Sequence, residues 1–473
     1  MPSQTVSSRS VDQDDELAVA LAAIPAALGL SRSFPEAVLA EAAAIAAAPP
    51  LPDLDSTDLA FVTIDPVGST DLDQALFLTR DGEGYRAYYA IADVPAFVAP
   101  GGAIDEEARR RGQTVYAPDG RIPLHPAVLS EGVASLLPGQ VRGAYVWDFE
   151  LDAAATVSAV RVYRARVTSR TQYDYETVQQ LVDSGRADLN LQLLREIGLK
   201  RIALEEARGG ASLRVPETEV ALADGRYSIV RRSPLPVEEW NAQLSLMTGM
   251  AAAQLMLDAG VGILRTMPDA DPAAVARFRL QAGALGRPWP VSQRYGDYLR
   301  SLDTADPKQL AIMHAAASLF RGAGYTPFDG APPSITMQAA VAAPYAHVTA
   351  PLRRLVDRFA LVLCEAISAG TAVPDWVRSA LPTIPGIMNA SNSLAGQVDN
   401  RALDAVEAAV LLPYVGTSFE ATVLSSGKGS STIQLDEPPV TAKCAASLVP
   451  GAVVRVRLDA AEIGTGRVLF SAV

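Results

Sequence analysis

Hydrophobic and polar positions change rhythm several times along the chain, and each change marks an element. Two Ala/Leu-rich stretches, 14–29 and 35–48, have helical composition and are separated by GLSRSFP, where Ser33 can cap the second helix and Pro35 can open it. They predict a small helical N-terminal unit, read either as a helical hairpin packed on the main domain or as a helix-turn-helix that touches nucleic acid. The polar, Ser-rich residues 1–11 read as a disordered tail, and PPLPDLD at 49–55 as a linker. From 59 to 98 the pattern changes to strands: LAFVTID, LDQALFL and YRAYYAIADV, with DGEG at 81–84 as a hairpin turn. Helical patterns then dominate, clearest at 173–206 and 237–259, with Pro/Gly-rich connectors at 286–290 and 323–333. The last sixty residues return to short alternating strands. In VVRVRL, Val454, Val456 and Leu458 should face a core, with Arg455 and Arg457 outside. The fold class that follows is α+β: a helical unit over 1–50, a mixed domain over 51–412 and a small β-barrel or sandwich over 413–473.

Composition narrows the classes. The chain has 473 residues, 49% of them hydrophobic, which suits a globular protein of about three domains. Acidic side chains outnumber basic ones 53 to 40, for a net charge of −13, so bulk charge does not draw it to nucleic acid and an anionic substrate needs a local basic groove. Cys364 and Cys444 stand far apart with no CxxC or Cys/His cluster, against a disulfide framework or a structural zinc site; a cytoplasmic protein is expected. The apolar stretch Leu17 to Leu30 is too short for a membrane span, contains Pro25 and follows acidic DQDDE, so no anchor is expected. The C-terminal segment holds five basic and five acidic residues, with Tyr414, Phe419 and Phe470 its aromatics, and does not by itself announce RNA binding.

Three constellations carry chemistry. TIDPVGSTDLDQA at 63–75 puts Asp65 at the end of one strand and Asp71 and Asp73 at the start of the next, the latter two sharing a face. Three clustered carboxylates repel one another, and a hard cation such as Mg²⁺ relieves that repulsion; a pair of such ions could activate water and stabilise a leaving oxygen. A solvated acidic turn or an incomplete calcium loop are the competing readings. In YAHVTAPLRRLVDRF, Thr349 can cap a helix whose first turn holds Pro351, Arg353 and Arg354, a phosphate-binding arrangement; an arginine bridging to Asp357 is the alternative. His347 reads as structural, and His125 as weaker still. In ARRRGQTVYAPDGRIPLHP, Arg109, Arg110 and Arg111 precede Tyr116 in a Pro/Gly-rich loop; basic residues beside an aromatic suit single-stranded nucleic acid, although a helix end followed by a core tyrosine has the same pattern.

In this order and at these spacings, the three segments closely resemble the RNB catalytic domain of the ribonuclease II family, from about Leu59 to Leu412. YAIADVPAFVAPGGAIDEEARRRG, SLLPG at 135–139 and RARVTSRTQYDYETV at 164–178 match as well, and TAPLRR looks like the family's TSPIRR-type signature. The resemblance implies a hydrolytic 3′→5′ exoribonuclease that threads single-stranded RNA into a narrow channel and releases nucleoside 5′-monophosphates using Mg²⁺, with Mn²⁺ as a substitute. It implies that Asp65, Asp71 and Asp73 are the first three aspartates of an acidic cluster, Asp73 the most critical. Arg353 then contacts the scissile phosphate, Tyr116 stacks on the terminal nucleotides and Tyr175 lies in the channel, with Arg354 and Arg111 as further RNA contacts.

Departures from the family pattern are equally specific. Gln74 stands where the fourth aspartate is usual and offers an amide oxygen but no charge, so a metal held by Asp65, Asp71, Asp73 and Gln74 should bind more weakly. Trp240, Asn241 and Ser245 occupy a region where an acidic pair is usual, and Asp399 stands for a glutamate. About fifty helical residues precede the catalytic domain where two cold-shock-type barrels are common, which implies a short form with a more open entrance and less processivity. A C-terminal OB-fold RNA-binding barrel is expected over 413–473. The expected partner is single-stranded RNA, with no membrane, for a monomer. Two other readings stay open: a catalytically silent RNA-binding or regulatory protein of the same fold, and a DNA-directed or general phosphodiesterase.

Overall fold

The structure is a computed structural model that describes residues 4–7, 11–211, 217–223, 226–304, 306–435, 437–438 and 440–473. Five strands, Phe61–Asp65, Gln74–Asp81, Gly84–Ala92, Val141–Leu151 and Val157–Asp174, close into a barrel. Neighbours pair antiparallel until the last strand returns parallel to the first and shuts the cylinder, with Asp65 opposite Asp174. Their residues feed two cores. Val62, Ile64, Leu76, Tyr89 and Trp147 belong to a core shared with the helices Leu189–Arg208, Pro236–Ala259 and Leu355–Ala369. Phe61, Ala75, Ala90, Val146 and Ala165 belong to the other, with Val38, Ile104 and Leu136. Residues buried on both sides explain why these strands read as nearly continuous apolar runs.

A second five-stranded barrel closes at the C-terminus from Ser418–Ser426, Ser431–Leu435, Thr441–Cys444, Arg467–Ala472 and Val453–Glu462. Val456 and Leu458 are fully buried there while Arg455 and Arg457 are exposed, the alternation expected of VVRVRL. The long helix Ile384–Leu411 lies against this barrel, and the fold is α+β, as the patterning indicates.

Several local expectations need correction. Within the supposed disordered tail, Gln4–Ser7 is a strand paired antiparallel with Arg226–Arg232; residues 1–3 and 8–10 lie outside the described residues. The helices Val11–Ala27 and Glu36–Ala47 dock on different partners, the first on Ile384–Leu411 and the second on Ala103–Arg111. Ser33 does not cap: Pro35 takes the cap position and the Ser33 hydroxyl pairs with that of Ser31 at 2.9 Å. The 173–206 pattern is two helices, Tyr175–Asp183 and Leu189–Arg208, broken at Gly185 with its φ of +69°. Within 323–333, Gly324–Asp329 is a strand paired with Val261–Thr266 rather than a connector. Among the described residues no helix is long and apolar enough to cross a membrane.

Candidate active site

The barrel's parallel closure builds one wall of a cavity of about 660 Å³. Asp65 ends the first strand opposite Asp174, and Asp174 caps the helix that follows, its carboxylate accepting the Thr177 N–H at 2.7 Å. Tyr175, first in that helix, is thereby set beside Asp65 at the cavity edge. The chain then crosses from 66 to 73 before the next strand, so Asp71 and Asp73 precede that strand instead of sharing its face. Non-local hydrogen bonds hold this crossing: Leu72 N–H donates to Ser135 Oγ at 2.9 Å, Leu136 N–H to the Leu72 carbonyl at 3.0 Å, and the Ser135 hydroxyl to the Thr70 carbonyl at 2.7 Å.

The opposite wall comes from residues 349–354. Thr349 caps no helix, and the helix begins only at Leu355; the preceding residues are held by longer-range bonds. Leu352 N–H donates to Asp73 Oδ1 at 2.8 Å, Thr114 N–H to the Arg353 carbonyl at 2.9 Å, and Leu355 N–H to the Gly112 carbonyl at 2.9 Å. Gly112 sits at φ +73°, where a Cβ would lie 2.6 Å from Ser391 Oγ, so the turn into this ladder needs glycine. Arg353 is 47% exposed and leans over the carboxylates, its Nε 3.7 Å from Asp73 Oδ2. Arg354, next to it, turns away: Asp357 takes its guanidinium at 2.9 and 2.8 Å and also accepts the Ala350 N–H at 2.7 Å. Arg354 therefore braces the loop and does not line the cavity.

The third wall is a short hairpin, Val115–Ala117 paired with Gly120–Ile122, which brings Tyr116, 47% exposed, into the same cavity. Arg111 is not with it. Its guanidinium donates to Glu107 and to the Ser31, Ser33 and Pro123 carbonyls and stacks at 3.9 Å on Phe34, which leaves it 10% exposed and structural. Arg109 is likewise taken by Asp105 at 3.1 Å and Arg110 by Glu107. His347 is half-buried, with the Tyr325 hydroxyl at 2.8 Å, and His125 is buried; desolvation pushes the ring of His125 down to about 3 and that of His347 well below its ordinary value. Asp399 is exposed on Ile384–Leu411 and does not line the cavity. Ser245 bonds the Tyr89 hydroxyl at 2.8 Å, and Asn241 approaches Tyr175 at 3.5 Å.

Burial dominates the electrostatics. It pushes Asp65 up to about 7 and Asp73 up to about 8, against the pull of Arg353 on both. Asp65 Oδ2 is buried with no hydrogen-bond partner, which makes it an oxygen donor seeking a cation or proton. Gln74 commits its amide nitrogen to the Thr349 carbonyl, so its amide oxygen is the atom left for the cavity. Asp71 is diverted: Arg121, a residue that pattern reading passed over, holds its Oδ1 at 2.6 Å. Among the described residues no group of three or more His, Cys, Asp or Glu converges as a ready metal cluster. The donors that remain, Asp65, Asp73 and the Gln74 oxygen, are hard and fit a magnesium-type ion better than a thiophilic one.

Comparison with known proteins places this geometry. Residues 54–368 match the family model of the RNB domain, and residues 417–473 match that of the RNase II-type exonuclease C-terminal S1 domain. Ribonuclease R of Escherichia coli (strain K12) is 28% identical over 323 residues, covering 64% of this chain and 39% of its own length. The probable exosome complex exonuclease RRP44 of Caenorhabditis elegans is 27% identical over 353 residues, covering 70% and 36%. The chain thus spans well under half the length of these two curated relatives. Among solved structures, Mycoplasma genitalium RNase R in complex with ribose methylated single-stranded RNA superposes with a TM-score of 0.86 at 19% identity, over 97% of this chain and 78% of that one. Yeast Ssd1, a pseudonuclease, superposes with a TM-score of 0.67 at 17% identity, over 88% and 53%. At these identities the likeness to solved structures is one of fold.

Proposed function

The chain belongs to the RNB-domain family, and from that premise we propose that it is a Mg²⁺-dependent hydrolytic 3′→5′ exoribonuclease that degrades single-stranded RNA to nucleoside 5′-monophosphates. One observation carries the reading: Asp65, Asp73, Tyr116, Tyr175 and Arg353, from four separate stretches of chain, line a single cavity. The 3′ end of the RNA enters between Tyr116 and Tyr175, and stacking of a terminal base on the Tyr116 ring is worth about 1–3 kcal/mol. The half-exposed Arg353 guanidinium pairs with the scissile phosphate, where its planar fork suits two phosphate oxygens. Mg²⁺, or Mn²⁺ in its place, would be held by Asp65 and Asp73 beside the Gln74 amide oxygen, and when bound it supplies positive charge against the phosphate and acidifies the attacking water. Attack of water on phosphorus breaks the bond to the 3′ oxygen, leaving a 3′-hydroxyl on the shortened RNA and a 5′-phosphate on the released nucleotide. Contacts to the 2′-hydroxyl would exclude DNA. Mycoplasma genitalium RNase R, which shares the fold, has been solved with single-stranded and with double-stranded RNA, which supports RNA as the ligand here. The reading carries with it a monomer in the cytoplasm, in line with two free, buried cysteines.

The experiment is a gel time course on 5′-labelled single-stranded RNA with and without Mg²⁺, beside Asp73→Asn and a DNA oligomer of the same sequence. Ladder-like shortening that needs Mg²⁺, spares DNA and vanishes in the variant is the expected result. A second reading, a silent RNA-binding protein, is favoured by two commitments at the site: Gln74 to the Thr349 carbonyl and Asp71 to Arg121. Intact RNA over a range of Mg²⁺ and Mn²⁺, with binding retained, would establish that reading instead.

A further inference from the structure

Arg121 stands directly across the hairpin from Tyr116. Residues opposed in an antiparallel pair project to the same side with their Cβ atoms about 5 Å apart, and both side chains line the cavity. The hairpin has three residues per strand, and an isolated two-stranded ribbon is marginal at best in water, so its position is set by what it is tied to. Its back is tied by packing: Val115 and Ile122 are buried in the core that contains Leu17, Leu21 and Ile24 of the first helix, and Arg32 pairs with Asp119 in the hairpin turn at 2.6 Å. Its front is tied by Arg121. That guanidinium donates to Asp71 Oδ1 at 2.6 Å and to Thr70 Oγ1 at 2.9 Å, and lies 2.8 Å from Glu131 Oε1; the Thr70 hydroxyl closes the ring by donating to Glu131 at 3.1 Å. Charge-assisted bonds of this kind are about twice as strong as neutral ones and fix direction as well as distance.

We propose, on the reading that Tyr116 stacks on RNA, that Arg121 is a positioning residue fixing the Tyr116 ring relative to the carboxylates, and that Asp71 serves here as its anchor rather than as a cation ligand. The second half follows from the first. An Asp71 oxygen that holds the hairpin is not offered to an ion, and Asp71 does not converge with Asp65 and Asp73 into a three-carboxylate set. Removing Arg121 frees the front of the hairpin, and a ring that swings away loses its base.

Stacking is read without turnover by adding an RNA that ends in 2-aminopurine at its 3′ nucleotide to the full chain in EDTA, where stacking quenches the fluorescence. The wild type should quench and Tyr116→Ala should not. Arg121→Gln should lose most of the quench with an affinity loss of about 10-fold, the size of one lost stack. Asp71→Asn and Glu131→Gln should each lose part, and Arg121→Lys should recover part, because it keeps the charge without the fork. By calorimetry, Asp71→Asn should bind Mg²⁺ within about 2-fold of wild type, whereas Asp65→Asn should not bind it, in line with oxygen ligation by Asp65. The proposal is overturned if Arg121→Gln keeps the wild-type quench, or if Asp71→Asn loses Mg²⁺ as Asp65→Asn does. If Arg121→Gln fails to fold in a thermal melt, Glu131→Gln decides the matter by the same quench. A wild type that quenches but never cuts RNA in Mg²⁺ refutes the exonuclease reading and leaves the positioning role standing.

Discussion

Among the described residues two sheets close into five-stranded barrels, and the one formed by residues 61–174 carries the cavity lined by Asp65 and Asp73. The C-terminal barrel packs Val423, Ile433, Leu435, Val456, Leu458 and Phe470 inside and closes two of its hairpins with short glycine-containing turns, Gly427 to Ser430 and Ile463 to Gly466. The barrel of residues 61–174 has larger aromatics, Trp147, Phe149 and Tyr89, and helices packed on it, but its distinguishing feature is where the chain leaves the strands. Within the crossing 66–73 the Asp73 carbonyl still accepts from Ala92, but Ser135 and Leu136 hold the Leu72 backbone, and the buried Asp73 carboxylate is held by Leu352, 279 residues away. Architecture is common to both barrels, whereas chemistry sits in the irregular connection of one.

The largest expected effects separate the two barrels by readout. Asp73→Asn keeps side-chain size and the bond from Leu352, so it should lower RNA cleavage by roughly 10²–10³-fold or more, as loss of a preorganised charge does, with no loss of melting temperature. Arg353→Ala should fall in the same range, with RNA binding weakened as well. Leu458→Ala in the C-terminal barrel should instead cost about 2–5 kcal/mol of stability, weaken the grip on long RNA and leave cleavage of a short oligomer within about 2-fold. A short-oligomer rate that drops as far for Leu458→Ala as for Asp73→Asn would abolish the distinction.

A smaller effect sharpens it from within the acidic crossing. Gln74→Asp should tighten Mg²⁺ by roughly 10-fold, the low end of what neighbours of a metal site contribute, and cleavage at limiting Mg²⁺ should rise with it. The same change removes the amide donor to the Thr349 carbonyl, a loss of about 1–3 kcal/mol for a buried acceptor. Isothermal titration with Mg²⁺ and a thermal melt of one preparation test both halves; a tighter site without a lower melting temperature would mean that the Thr349 contact is idle.

How much of this could be read from the sequence depends on the range of the forces involved. The apolar runs of the strands at 61–65, 74–81 and 84–92, and the alternation at 454, 456 and 458, are local patterns and were legible. The division of labour between Arg353 and Arg354 was not: identical neighbours differ only in whether Asp73 or Asp357 faces them, and Asp73 is remote in sequence. The parallel closure that sets Asp65 opposite Asp174 leaves no local mark, nor does the pairing of polar Gln4–Ser7, which has no alternating apolar face. Arg121 had a faint signal, since a PDG turn places it opposite Tyr116 once the hairpin is recognised, but its bond to Asp71 spans fifty residues.

The smallest expected effect lies where the long helix meets the C-terminal barrel. Burial, with Asp404 nearby, pushes Glu407 up to about 8 from an ordinary 4.5, although the Thr441 backbone donates to it. Between those two values the folded chain keeps a proton that the unfolded chain releases, so the native state binds more protons and stability must fall as pH rises from about 4.5 through about 8, then level off. Asp65 and Asp73, raised to about 7 and about 8, add to the same decline in the other barrel. Glu407→Gln removes one contribution only, so its melting temperature should exceed the wild type's by about 2 °C at pH 8.5 and match it near pH 4.5. Saturating Mg²⁺ should flatten the share of the decline that belongs to Asp65 and Asp73 while leaving the Glu407 share in place. Parallel wild-type and Glu407→Gln melting curves across the whole pH range would show that this carboxyl ionises freely and that the helix–barrel contact admits water.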